Sequence, residues 1–130
     1  MELDKHIGDY AAAIVRDADL LLADTANMNK EQKQSMEGLK REAVRFLTFY
    51  REGLPYFAQL NDESRMIVHD LRNPLQNIEG YCDVLLTIDY VNLTELQLQL
   101  LHQIKTAQVF ILNTFIIWVT KGLVADNQPN

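Results

Sequence analysis

The sequence has few residues that break helices and too few cysteines for an internal disulfide. Its 130 residues include five glycines, three prolines and one cysteine, Cys82. A single cysteine excludes an internal disulfide and fits a reducing compartment. Because β-branched residues rarely alternate with polar ones, strands are disfavoured as well. Long helices are the expected elements.

Basic residues are also scarce, and no segment is suited to a membrane. Twelve Lys and Arg stand against 18 Asp and Glu, for a net charge of −6. The phosphates of nucleic acids and anionic lipids would be repelled. The start, Met1 to Asp4, lacks the features of a signal peptide. The most apolar stretch, Val109 to Val119, is shorter than the about 20 residues that span a bilayer. We expect a cytoplasmic protein that binds neither nucleic acid nor membrane.

Apolar residues recur at three- and four-residue steps through most of the chain, which predicts four helices. The first is expected to end near Ala23, and Gly53-Leu54-Pro55 should interrupt the pattern after the second. The third carries a heptad seam, which is typical of helices packed at a shallow angle in a bundle. The predicted seam residues are Met36, Leu39, Ala43, Phe46 and Tyr50 in the second helix, Val68, Leu71, Leu75, Ile78, Cys82 and Leu85 in the third, and Leu96, Leu100, Ile104, Ala107, Ile111, Phe115 and Trp118 in the fourth.

Capping boxes mark the starts of the second and fourth helices. We divide the chain into a first helical hairpin over residues 1–54, a second over 55–124, and a flexible tail over 125–130. The candidate boxes are Asn29-x-x-Gln32 in the second helix and Thr94-x-x-Gln97 in the fourth, with Asn92-x-x-Glu95 as a competitor for the latter.

The two halves of the chain also resemble each other. Ile14 to Leu22 aligns with Ile78 to Leu86 at the isoleucine, the aspartate and the leucines. A duplication would produce two hairpins of equal length, and Lys5 would then match His69. The alternative is that amphipathic helices of similar composition align by chance. With one residue inserted, the further matches are Asn27, Gln32, Gln34, Lys40 and Val44 with Asn92, Gln97, Gln99, Lys105 and Val109.

One segment of the third helix carries groups suited to chemistry. His69 follows the seam residue Val68, so its imidazole should reach solvent as a nucleophile or proton carrier. Asn73 lies one turn on, where its amide could hold a water or a phosphoryl oxygen. Asp70 points about 100° away around a regular helix, which does not place it on the ring, although it could still act if the helix is distorted here. Pro74 gives no N–H to the carbonyl of Asp70, which predicts a kink.

This segment closely resembles the H-box in the dimerisation and histidine-phosphotransfer domain of sensor histidine kinases, in the residues His69-Asp70-Leu71-Arg72-Asn73-Pro74-Leu75. The resemblance extends over roughly residues 60 to 122, about half the chain. It implies an all-α four-helix bundle of antiparallel hairpins. The bundle would form by homodimerisation or, if the halves are repeats, within one chain. We favour the homodimer, with the first two helices packed as extensions.

The resemblance also implies a role for each residue of the segment. His69 would accept a phosphoryl group on a ring nitrogen, and Asp70 would orient the ring and act as a base. Asn73 would position the water that hydrolyses a partner's aspartyl phosphate. Contacts with the partner are expected at Arg72, Pro74, Gln76 and Asn77.

What the family's kinases need for ATP is missing from this sequence. No glycine-rich phosphate loop occurs, so we expect no autonomous kinase activity. We expect no cofactor of the chain's own, and Mg²⁺ on the partner. The predicted function is exchange of a phosphoryl group with a response-regulator receiver domain, or its dephosphorylation. The alternatives are a non-catalytic module that binds a histidine kinase or a receiver, and a plain structural bundle.

Overall fold

The computed structural model describes the backbone of residues 2–57 and 61–127, and the side chains of 6–57 and 61–119. Within these ranges the chain is helical and has no strand, which confirms the all-α class. A 3₁₀ helix, Leu54–Tyr56, follows the second of the long helices. The α-helices are α1 (Glu2–Ala23), α2 (Lys30–Gly53), α3 (Asp62–Thr87) and α4 (Glu95–Asn127).

The helix ends follow the local sequence. Helix α1 ends at Ala23, and α2 ends at Gly53, the first residue of the predicted break. Pro55 lies within the 3₁₀ helix, where its fixed φ is tolerated. Helix α4 continues to Asn127, beyond Ala125, where we placed the start of a flexible tail. Residues 128–130 of that tail lie outside the described residues.

The four helices form a bundle within one chain. Helix α1 packs against α2 and α4, and α3 packs against the same two helices. The α1–α2 and α3–α4 loops lie at the same end, so the helices alternate in direction. The first hairpin therefore covers the apolar faces of the second. The sequence left open a homodimeric bundle and a bundle within one chain, and this is the second arrangement. The first two helices do not extend the second hairpin.

The core confirms the predicted seams of α2 and α3 and corrects that of α4. Every seam residue of α2 and α3 is buried. In α4, Leu96 is 64% exposed, whereas Leu101 and Gln97 are buried. The buried face at the start of α4 differs from the predicted one because the Gln97 amide is hydrogen-bonded in the interior. The first turn of α4 therefore faces inward at Gln97 and not at Leu96. Trp118 is only half-buried.

Both predicted capping boxes form. The Asn29 side chain accepts from the Gln32 N–H at 2.8 Å, and the Asn29 N–H donates to Gln32 Oε1 at 2.9 Å. In α4 the Gln97 N–H donates to Thr94 Oγ1 at 3.1 Å, and the Thr94 N–H donates to Gln97 Oε1 at 2.8 Å. Thr94 is thus the cap of α4, and the competing Asn92 is not.

The same two glutamines join the hairpins. Gln32 Nε2 donates to the Asp89 carbonyl at 2.6 Å, and Gln97 Nε2 donates to the Asp24 carbonyl at 3.0 Å. Gln97 Nε2 also donates to Asn27 Oδ1 at 3.0 Å. Both glutamines are buried, so each bond satisfies a group that would be costly to leave unpaired. These bonds fix the loop end of the bundle.

Replacing Gln32 by alanine should lower the free energy of unfolding by about 1–3 kcal/mol, because it removes half of a capping box and a donor from a carbonyl of the other hairpin. Urea denaturation followed by circular dichroism measures this. Gln34→Ala, at an exposed position of the same helix, should change stability by less than about 0.5 kcal/mol. Equal effects of the two substitutions would contradict the assignment.

The lone cysteine is buried, as its seam position predicts. Cys82 has no solvent exposure, and burial raises the pKa of its thiol from 9.0 to about 12, with the Asp83 charge adding to the rise. Since the thiolate is the reactive form, we expect a thiol reagent to label native protein negligibly and urea-unfolded protein fully. Stoichiometric labelling of the folded chain at mildly alkaline pH would show that this part of the core opens.

One helix has the length and composition of a membrane span. The segment Glu95–Val119 of α4 has a mean hydropathy of 1.2 in its most apolar window. The core helix of a soluble protein meets the same criterion. Here α4 packs against α1 and α3 and contributes Leu101, Ile104, Ile111 and Phe115 to the core.

Candidate functional site

The helix that carries His69 is anchored at its start by a capping box that the sequence analysis did not identify. The Asn61 side chain accepts from the Ser64 N–H, and the Asn61 N–H donates to Ser64 Oγ, both at 2.9 Å. The buried seam residues Val68 and Leu71 then fix which face of α3 points inward. His69 lies outside that face, and its side chain is 83% exposed, as predicted.

Asp70 stands beside the imidazole without a hydrogen bond to it. The closest atoms, His69 Nδ1 and Asp70 Oδ1, are 3.7 Å apart, which is too far for a hydrogen bond. The Asp70 side chain is 76% exposed. The carboxylate thus lies on the Nδ1 side of the ring. A small rotation of either side chain would bring the two atoms into hydrogen-bond range.

On the α4 side, His69 borders a groove with a cationic rim. Arg65 and Arg72 stand on the same side of α3 as the imidazole, four residues before it and three after. Arg65 also pairs with Asp62 at 3.3 Å. Arg65 was not predicted as a site residue, although its spacing from His69 was a sufficient signal. The apolar floor of the groove consists of Val68, Phe115, Ile116 and Val119.

On the α2 side, a second groove has acidic groups at its rim. Asp70 and Glu52 line it, together with Phe49, Tyr56 and Ile67. The exposed surface of α3 around His69 therefore lies between two grooves of opposite charge. None of the α2 residues was singled out from the sequence, because only the folded bundle brings the end of α2 beside α3.

The other predicted site residues continue along α3. Asn73 and Asn77 are exposed, and Asn77 Nδ2 donates to Asn73 Oδ1 at 3.3 Å. Arg72 and Gln76 are exposed as well, which leaves them accessible to a partner. Pro74 is buried, so its side chain is not available for the partner contact that we assigned to it. Helix α3 is continuous through Pro74, and the predicted kink there stays a prediction.

Comparison with known proteins identifies the same segment. Residues 59–108 match the family model of the His Kinase A (phospho-acceptor) domain. The match includes all of α3 and the first part of α4, and thus the exposed histidine and its neighbours. No curated protein and no solved structure matches the chain significantly. Over these residues the second hairpin is therefore similar to a phospho-acceptor domain of the His Kinase A type.

Proposed function

We propose that His69 exchanges a phosphoryl group with the receiver domain of a response regulator, in the cytoplasm. One observation carries the proposal: the segment that matches the phospho-acceptor family presents an imidazole that is 83% exposed, with two arginines on the same side of the helix. Neutral imidazole is a nucleophile near physiological pH. The chain would thus act as a phosphoryl relay, with no kinase activity of its own.

The transfer step requires little from this chain beyond a positioned ring. Because Asp70 lies on the Nδ1 side, we expect Nε2 to attack the phosphorus of the receiver's aspartyl phosphate. The new N–P bond forms as the P–O bond breaks, and the receiver's aspartate leaves as a carboxylate. The proton stays on Nδ1, and the ring becomes cationic beside Asp70. The receiver would contribute its own Mg²⁺, which it needs for phosphoryl chemistry.

The charge on the α4 side of the ring suits an anionic partner. The whole chain carries a net charge of −6, yet the groove beside His69 has Arg65 and Arg72 at its rim. Guanidinium groups bind phosphoryl oxygens through charge-assisted hydrogen bonds. The apolar floor next to them offers contact area for a receiver's surface. Local charge of this kind would orient a phosphorylated partner despite the repulsion from the rest of the surface.

Dephosphorylation of the receiver is a second candidate, favoured by Asn73. This amide is exposed one turn from His69 on nearly the same face. It could hold the water that attacks an aspartyl phosphate docked at the same place. In that reaction the phosphoryl group goes to water and His69 stays unmodified.

A panel of phosphorylated receiver domains distinguishes these reactions. If transfer operates, the chain gains acid-labile phosphate, and His69→Ala abolishes the gain. If hydrolysis operates, receiver phosphate disappears faster with the wild type and with His69→Ala, but Asn73→Ala slows the loss about 10-fold or more. Asn113→Ala, at an exposed position of α4, should behave as wild type in both assays. No effect on any receiver would contradict both and favour a non-catalytic module that binds a kinase or receiver.

A further inference from the structure

We propose that the first hairpin, α1 and α2, takes the place of a second subunit, so that one chain forms a pseudo-dimer with one acceptor histidine. The part that concerns the receiver rests on the proposed function: one receiver would then be served per chain. The homodimer that the resemblance implied is not needed in this arrangement.

The bonds between the hairpins are reciprocal. Gln32 of the first hairpin donates to the Asp89 carbonyl of the second, and Gln97 of the second donates to the Asp24 carbonyl of the first. The two glutamines are separated by as many positions as the two aspartates. Each glutamine also closes the capping box of its own helix. This is the pattern of an isologous contact, in which one residue meets another across a two-fold axis and the reverse contact also occurs.

The ion pairs within the hairpins repeat in the same way. Lys40 of α2 pairs with Asp19 of α1, and Lys105 of α4 pairs with Asp83 of α3. These four residues are equivalent in the alignment of the two halves. Chance similarity of amphipathic helices would match apolar positions. It would not by itself place the same lysine–aspartate pair between the two helices of each hairpin.

The core positions of the two hairpins are also equivalent. Each residue of the following pairs is buried, one in each hairpin. The pairs are Ile14 and Ile78, Ala18 and Cys82, Leu21 and Leu85, Met36 and Leu101, Leu39 and Ile104, Phe46 and Ile111, and Tyr50 and Phe115.

The seam of α3 is wholly buried within the single chain and has no free area for another copy. Val68, Leu75 and Ile78 are buried within the single chain, because α2 and α4 cover the inner face of α3. If the hairpin dimerised through this seam, the seam would be exposed in a single chain and covered only in the dimer. The occupant of the partner's place is thus the first hairpin itself.

The two halves differ at the site. The position equivalent to His69 is Lys5, and the position equivalent to Arg72 is Gly8. At these two positions the first hairpin therefore lacks the acceptor imidazole and the cation that corresponds to Arg72. A pseudo-dimer of this sequence has one site where a symmetric homodimer would have two.

Light scattering during size-exclusion chromatography tests the oligomeric part without any receiver. We expect the mass of one chain, 15.0 kDa, over a 100-fold range of concentration. As a second measurement, tagged and untagged chains are mixed, partly unfolded in urea, refolded and passed over the tag resin. The untagged chain should not be retained. A mass of two chains, or retention of the untagged chain, would overturn the proposal.

The receiver stoichiometry is measured with whichever receiver reacts in the phosphate assay. Light scattering of the complex should give the mass of one chain plus one receiver, and a mass of two chains plus two receivers would contradict the proposal. The two proposals fail separately. A one-chain mass with no reactive receiver would support the pseudo-dimer and overturn the phosphoryl exchange. A two-chain mass with active transfer would do the reverse.

Discussion

Replacement of His69 by alanine is expected to abolish phosphoryl acceptance by this chain, reducing acid-labile label to the background of the assay. The imidazole is the group that we expect to attack phosphorus, and alanine has no nucleophilic atom. Because the side chain is 83% exposed, its loss should change the free energy of unfolding by less than about 0.5 kcal/mol. The measurement is transfer of radioactive phosphate from a labelled receiver, beside a urea denaturation curve of each variant.

His102→Ala is the matched control. His102 is also an exposed histidine, but it lies on α4 and outside the groove beside His69. We expect this variant to accept phosphate as the wild type does. If His69→Ala stays folded and keeps its label, the acceptor is another residue.

Replacement of Phe46 by alanine should have the largest effect on stability, lowering the free energy of unfolding by about 3–5 kcal/mol. Phe46 is fully buried in α2, and its ring centroid lies 6.0 Å from that of Tyr50 and 6.2 Å from that of Phe115 on α4. Because these rings belong to both hairpins, both should unfold in one transition. The measurement is urea denaturation monitored by circular dichroism and by the fluorescence of Trp118.

Phe49→Ala tests whether burial causes that effect. Phe49 lies on the same helix but is 41% exposed, with the Arg45 guanidinium over its ring at 5.5 Å. We expect a loss of about 1 kcal/mol or less. If the two substitutions cost the same, or if Phe46→Ala separates the transitions of the two hairpins, the shared core that we describe is wrong.

The sequence was sufficient for the helices and for most of the core, because a heptad seam identifies the buried face without further information. It failed at the start of α4, where apolar periodicity selected Leu96 and the structure buries Gln97. Burial of a polar side chain is favourable only when it has hydrogen-bond partners. Its burial can therefore be predicted only when those partners are known. Those partners include the backbone carbonyl of Asp24, which side-chain patterns do not reveal.

The site was predictable in part for a similar reason. His69, Asp70 and Asn73 lie within five residues of one another on one helix. Their identity and spacing in the sequence therefore place them together. The groove beside them needs Phe115 from α4, and the acidic groove needs Glu52 from α2. Only tertiary packing brings these residues to α3. The repeat in the sequence raised the single-chain bundle as an alternative, but the packing of the first hairpin on the second was needed to show it.

Peptide mapping of the phosphate tests the central claim most directly. After incubation with a phosphorylated receiver, the chain is digested with trypsin at mildly alkaline pH, where a phosphoramidate survives. Cleavage after Arg65 and Arg72 releases the peptide Met66 to Arg72, whose one histidine is His69. We predict that this peptide gains one phosphoryl group while the receiver loses its own. An unmodified peptide, together with receivers that all keep their phosphate, would contradict the account.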